Sequence, residues 1–269
     1  WFIHDSNFSI GATGKLDLIV SYDAKSSFLS YHVVSVDNGG GVNTTLNLNP
    51  TFLITGVNLI DNMLFFTDDY NPPRMLDVNS SYANPVANVD QFSAESILNI
   101  KRPPANSPSV EMINVGQDKN YMEDRYISFA YRYKYKNNEY SATSQFSSPA
   151  FFPKDFEFAV DSMLNEGMEN KYNASVVRYE SGGPLVVGID LLFKEGSDPT
   201  IKVVEKIDKR ERGLSDDTTY SLIYDNSKIY TVLPNSEILR HFDNVPLLAK
   251  AQTTMGNRLI YGNYKEGYD

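Results

Sequence analysis

The chain has 269 residues and carries 24 Lys+Arg against 34 Asp+Glu, a formal charge of −10. It contains no cysteine, which excludes a disulfide scaffold, a thiolate metal centre, a cysteine nucleophile and a c-type haem attachment. The acid surplus argues against nucleic acid as the main partner, because phosphate neutralisation needs a face rich in Lys and Arg. His4, His32 and His241 are too dispersed to read as zinc ligands, which cluster at short spacings. No charged-then-apolar leader opens the chain. The longest apolar runs, such as 185–189 and 191–193, fall far below the ~18 residues of a membrane-spanning helix. With Trp at position 1 and a stop soon after a strand-like segment, both ends read as cuts in a longer polypeptide.

The 18 Tyr and 15 Phe, with frequent Val, Ile and Thr, tilt the composition toward strand. Residues 16–22 and 29–36 alternate with a period near two and flank Asp23–Ser27, which predicts a hairpin. Asp37-Asn38-Gly39-Gly40-Gly41 predicts a second tight turn. Strands at 52–54 and 63–66 follow, split by Asp61-Asn62. Six of the 13 prolines fall between Asp68 and Asn120, so that stretch reads as an ordered arm with one short helix at 89–99.

Residues 126–135 form the clearest strand, in which Tyr131, Tyr133 and Tyr135 share a face and alternate with Arg132 and Lys134. A turn at 136–139 and a return strand at 140–144 complete the expected hairpin. Residues 156–172 are expected to be a short helix, weakened by Gly167. Further strands are predicted at 173–178, 184–193, 201–207, 220–224, 229–233, 247–254 and 257–261, with a charged loop at 206–217 and a short helix at 235–242.

The segment Asn62–Tyr70 is echoed by Asn257–Tyr264, each an Asn turn, a Leu-aromatic strand and a closing Tyr. Equivalent strands of one repeated β unit would make the middle of the chain an insertion. The expected fold is therefore mainly β: a propeller-like or meander β domain with an inserted immunoglobulin- or fibronectin-like β-sandwich and few short helices. The expected boundaries are 1–70 for the meander, 71–120 for the arm, 121–210 for the insertion and 211–269 for the return.

Candidate chemistry is sparse. The paired acids Asp68-Asp69 and Asp216-Asp217 have the residue type for glycoside hydrolysis but sit at turns, where solvent-facing acids are commoner. Gly39–Gly41 lacks the following Lys-Ser/Thr of a phosphate loop. There is no Gly-x-Ser-x-Gly elbow and no calcium loop. No catalytic residue, cofactor or metal is expected.

The run Phe66-Thr67-Asp68-Asp69-Tyr70-Asn71-Pro72-Pro73-Arg74 resembles a segment of the large tail "stabilization" or muzzle proteins of crAss-like phages infecting Bacteroidetes. Residues 126–148 and 257–264 are similar to other recurrent segments of that group, although Phe66 stands where Trp is common. The resemblance implies a non-enzymatic virion component and a part of a longer chain. It implies assembly as a homo-oligomeric ring beside neighbouring tail or portal-ring proteins, with genome DNA passing through and no membrane segment. On that reading the interface residues are Tyr70, Pro72, Pro73 and Arg74 at the turn, with Tyr131, Tyr133 and Tyr135 on the long strand. The alternative is a carbohydrate-binding or receptor-binding β module, which needs a concave cluster of exposed aromatics.

Overall fold

The computed structural model describes residues 1–9, 13–37, 44–79, 94–136, 138–196, 198–238, 246–256 and 258–266. The expected glycine turn at 39–41, His241 and the second half of the expected 235–242 helix lie outside these residues. The chain is mainly β, with several antiparallel sheets and few helices, as its alternation predicts. It divides into two compact units, Trp1–Ile100 with Asn244–Asp269, and Lys101–Asp243.

In the first unit, β1 (Phe2–Ser9), β2 (Thr13–Asp23) and β3 (Phe28–Asp37) form one antiparallel sheet. The predicted β2–β3 turn forms because the Asp23 carboxylate accepts from the Lys25 N–H and the Ser26 hydroxyl. A second sheet holds β4 (Gly56–Ile60), β5 (Met63–Thr67) and β6 (Arg74–Asp77). The strand expected at 52–54 begins later, at Gly56, because Asn49 first closes a turn on Thr51 and Phe52. The two sheets share a core of Ile19, Val33, Leu46, Phe66, Leu76 and Ile97. Far along the chain, β16 (Pro246–Met255) and β17 (Arg258–Glu266) form a hairpin of the same unit. Gln252 Nε2 secures it by donating to Phe65 O at 2.8 Å and Asn58 Oδ1 at 3.1 Å. The two echoed segments are both second strands of hairpins, β5 and β17, and Asp61 and Gly256 in the turns that lead into them take positive φ.

The proline-rich stretch 71–120 is shared between the units. It supplies β6 and a 3-10 turn at Ala94–Ile97 to the first, and β7 (Ser109–Ile113) to the second. Of the helix expected at 89–99, this turn is what the described residues contain.

The second unit has two antiparallel sheets over one core. One contains β7, β11 (Ala174–Glu180) and β14 (Thr219–Tyr224), in the order β14-β11-β7. The other contains β8 (Ile127–Tyr135), β12 (Val186–Glu195), β13 (Lys202–Asp208) and β15 (Thr231–Val232), in the order β15-β13-β12-β8. Residues 156–172 are not helical: β9 (Phe158–Ala159) and β10 (Leu164–Asn165) make a small hairpin there. Phe156, Phe158 and Val160 recur with a two-residue period across Glu157 and Ala159, and Met163 adopts φ +54°, which a helix forbids. The first turn of the expected 235–242 helix is present as α1 (Asn235–Ile238).

The return segment after β8 is also not a strand beyond its single bridge at Tyr140. It runs antiparallel to β8 in steps of three. The amides of Ser141, Ser144, Ser147 and Ala150 donate to the carbonyls of Tyr133, Tyr131, Phe129 and Ile127, at 2.7–2.9 Å. In reply, the amides of Tyr133, Tyr131 and Phe129 donate to the hydroxyls of Ser141, Ser144 and Ser147, each at 3.0 Å. Each serine hydroxyl in turn donates a hydrogen bond to the next residue's carbonyl, at 2.7–3.0 Å. A hydroxyl thus replaces the backbone acceptor a normal partner strand would offer. Two residues of β8 advance about 6.8 Å, so the serine segment rises about 2.3 Å per residue, between helix and strand.

Buried amides need an acceptor, so Ser144→Ala, which orphans the Tyr131 N–H, is expected to lower stability by about 1–3 kcal/mol in urea unfolding. Gln145→Ala, at an exposed position between the rungs, is expected to stay within about 0.5 kcal/mol.

Candidate functional site

The conspicuous turn Phe66–Arg74 joins β5 to β6 and is held by its own polar side chains. Asp68 is buried and its Oδ1 accepts the N–H groups of Tyr70 at 3.0 Å and Asn71 at 2.7 Å. Asn71 Nδ2 donates to Asp68 Oδ2 at 2.6 Å and to Asn47 O at 3.0 Å, while Asn71 Oδ1 accepts from Asn47 Nδ2 at 2.9 Å. Pro73 is buried, and its carbonyl accepts the Asn99 N–H at 3.0 Å. Pro has no amide to leave unpaired, which suits it to a buried bend.

Arg74, 4 % exposed, donates to the Leu46 carbonyl. Burial pulls its pKa down to about 10, against the opposing pull of the Asp68 and Asp17 carboxylates. Asp17 is fully buried on β2: its Oδ1 lies 2.6 Å from His4 Nδ1, and its Oδ2 accepts from the Thr44 hydroxyl and, at 2.9 Å, from the Leu48 N–H. The network links β1, β2, the 44–48 loop and the turn before β6.

Of the four turn residues expected at an interface, Tyr70 alone is substantially exposed, at 37 %, and it stacks on Phe52 at 5.1 Å between ring centroids. Arg74 and Pro73 face inward and Pro72 is half-buried. Tyr131, Tyr133 and Tyr135 lie within the second unit's own core, with Tyr131 and Tyr135 only 1 % exposed. Their rings pack edge to face along β8, at 5.8 and 6.4 Å. The rings alternate toward the core because that face of β8 meets the opposite sheet. Burial raises the Tyr131 hydroxyl to about 12 and moves Tyr133 and Tyr224 upward as well.

The opposite face of β8 holds a second buried guanidinium. Arg132 donates through Nε and Nη2 to Asp190 Oδ2 at 3.1 and 2.9 Å, and its Nη2 lies 2.6 Å from Glu237 Oε2 on α1. Its Cζ sits 4.1 Å above the Tyr140 ring. Strand alternation alone suggests a solvent-facing Arg. The partner that encloses it, Glu237, is remote in sequence and carries no local signal.

The paired acids are each engaged within their own turns. Asp68 is enclosed by its turn, and Asp69 takes φ +57° with its N–H on Ala249 O. Asp216 lies 2.6 Å from Nζ of the buried Lys209, while Asp217 takes φ +48°. His32 Nδ1 faces Val78 O at 3.0 Å and Nε2 faces the Ser21 hydroxyl at 2.7 Å. Among the described residues no group of three His, Asp or Glu is arranged to hold a metal ion, and no helix is long and apolar enough to cross a membrane.

Surface features overlooked in the sequence are apolar. Tyr22, Leu29 and Tyr31 stand exposed where the β2–β3 hairpin extends past the core, and Phe156, Phe158, Val160, Met163 and Leu164 stand exposed on β9–β10. The signal for the second was present as a two-residue alternation assigned to a helix. No family model and no curated protein sequence matches the chain.

Removing the cation from the first network, as in Arg74→Ala, leaves Asp17 and Asp68 buried without it, with an expected loss of about 3 kcal/mol in urea unfolding. Raised tyrosine pKa values mean that the folded state retains phenolic protons that the unfolded state loses near pH 10. That stability is complete below pH 10 and is lost as pH climbs through the folded value of about 12 for Tyr131. The expected outcome is a falling urea midpoint above pH 10, with tyrosinate absorbance appearing together with unfolding.

Proposed function

We propose that the chain is a structural subunit of a phage tail assembly, a muzzle- or nozzle-like ring around the DNA exit channel. It acts there through contacts with other copies and with neighbouring tail or portal-ring proteins. The observation that carries this reading is the allocation of side chains. The conspicuous polar groups, Asp17, Asp68, Arg74, Arg132 and Asp190, are closed into internal clamps, whereas large apolar side chains stand in water on preformed hairpins. Clustered apolar surface on ordered β structure marks interaction sites. A ring subunit needs surfaces for its own copies that close by rotation and others for the neighbouring proteins, and apolar hairpins at separate places in the chain suit that division.

On this reading the first unit is the propeller- or meander-like part, and the second is the immunoglobulin- or fibronectin-like insertion. The charge of −10 suits a wall past which DNA slides without adhering.

The test is mass spectrometry of purified virions together with sedimentation and electron imaging of the full-length protein. The expected result is a fixed copy number per particle and a closed ring. A monomer at micromolar concentration that is absent from virions would overturn the assignment, and binding of that monomer to immobilised polysaccharide would move it to the carbohydrate-binding alternative.

A further inference from the structure

The most unusual surface of the second unit is the β9–β10 hairpin. Phe156, Val160 and Met163 are 76, 71 and 71 % exposed, and Phe158 and Leu164 exceed half. The register pairs Phe158 with Asn165 and Ala159 with Leu164, so Phe158 and Leu164 stand on opposite faces. A hairpin meant to lie on a flat surface would be apolar on one face. This one is apolar on both, the form of a finger that enters a groove.

Its shape is set in advance. Glu166 N–H donates to Glu157 O at 2.7 Å, and Asn165 Oδ1 accepts the N–H groups of Glu157 and Gly167, both at 3.0 Å. Gly167 packs so closely on the Asp155 carbonyl that an added Cβ would lie 1.9 Å from its oxygen. At the base, the fully buried Asn170 donates its side-chain amide to Ala150 O at 3.1 Å and its N–H to Glu123 O at 2.7 Å. Such a finger loses little conformational entropy when it docks.

Charge defines the partner. Asp155, Glu157, Asp161 and Glu166 are exposed among the apolar residues. Two lysines stand at the base: Lys154 lies 3.1 Å from Glu123 and 2.6 Å from Glu169, and Lys171 is exposed. The finger is therefore an apolar tip inside an acidic collar. A second copy of this chain would bring its own net charge of −10, and an anionic lipid surface is negative as well, so neither complements this collar.

We infer that the β9–β10 finger inserts into an apolar groove rimmed by Lys and Arg on a different protein. This deepens the reading of the chain as an assembly subunit, and rests on it, by assigning one contact surface and the chemistry of its partner.

The test replaces Val160 with the photo-crosslinking residue p-benzoylphenylalanine in the full-length protein, irradiates the native assembly and sequences the cross-linked peptide. The expected product joins Val160 to another polypeptide at apolar residues flanked by Lys or Arg. Its yield should fall about tenfold with Phe156→Ser and Phe158→Ser combined, and about fivefold with Glu157→Lys and Glu166→Lys combined. Neither pair of exposed changes should move the melting temperature. A cross-link to a second copy, a cross-link to lipid, no cross-link, or a yield indifferent to charge reversal would each overturn the inference. The virion census tests the broader assignment separately, because a ring can form with this finger idle.

Discussion

A guanidinium withdrawn from water must be compensated by carboxylates or carbonyls, and each unit is organised around one that is. Arg74 sits under the field of Asp17 and Asp68 and donates to Leu46 O, while Arg132 is held between Asp190 and Glu237 beneath Tyr140. Neither cluster is a strong source of net stability, since desolvation offsets most of the attraction. Their effect is on which arrangement is allowed. An alternative packing that separates these groups while keeping one in the interior leaves a charge buried alone, which disfavours it.

The β class and most strand positions were legible because half-buried strands impose a period of two on side chains. Residues 16–22, 126–135 and 184–193 state it openly. The same period governs 156–160, where the apolar spacing over 156–172 was weighed as a helix instead, despite Gly167. Fates of individual side chains were less legible. Tyr131, Tyr133 and Tyr135 read equally well as an outward or an inward row, since alternation says that two faces differ without saying which one meets the opposite sheet. Arg74, read from the sequence as an interface residue, is buried in the field of two carboxylates. Asp17 shows nothing in its neighbourhood that distinguishes it from a surface acid, because its partners His4, Thr44 and Leu48 come from other segments.

The contrast between interior and surface is the main functional statement of the fold. In the second unit Tyr131, Tyr133, Tyr135, Tyr179 and Tyr224 serve as core material whose polar tip needs only one acceptor, as when Tyr135 donates to Arg102 O at 3.0 Å. Phenylalanine and aliphatic residues, ordinarily the interior types, stand on the β9–β10 hairpin instead. Such an inversion carries a solubility cost, and it is tolerated where the surface is destined to be covered.

The serine segment beside β8 makes one stretch of the chain unusually sensitive to length. Because three of its residues are matched to two of β8, the two segments run like scales of different spacing that coincide only at the rungs. Deleting one residue between Ser141 and Ala150 would shift every later rung out of phase and strip several core amides of their acceptors at once. Substitution between rungs would leave the phase untouched. Loops usually absorb insertions and deletions readily; this one, though it forms no ladder strand, is expected to keep its length across related chains while its intervening residues vary.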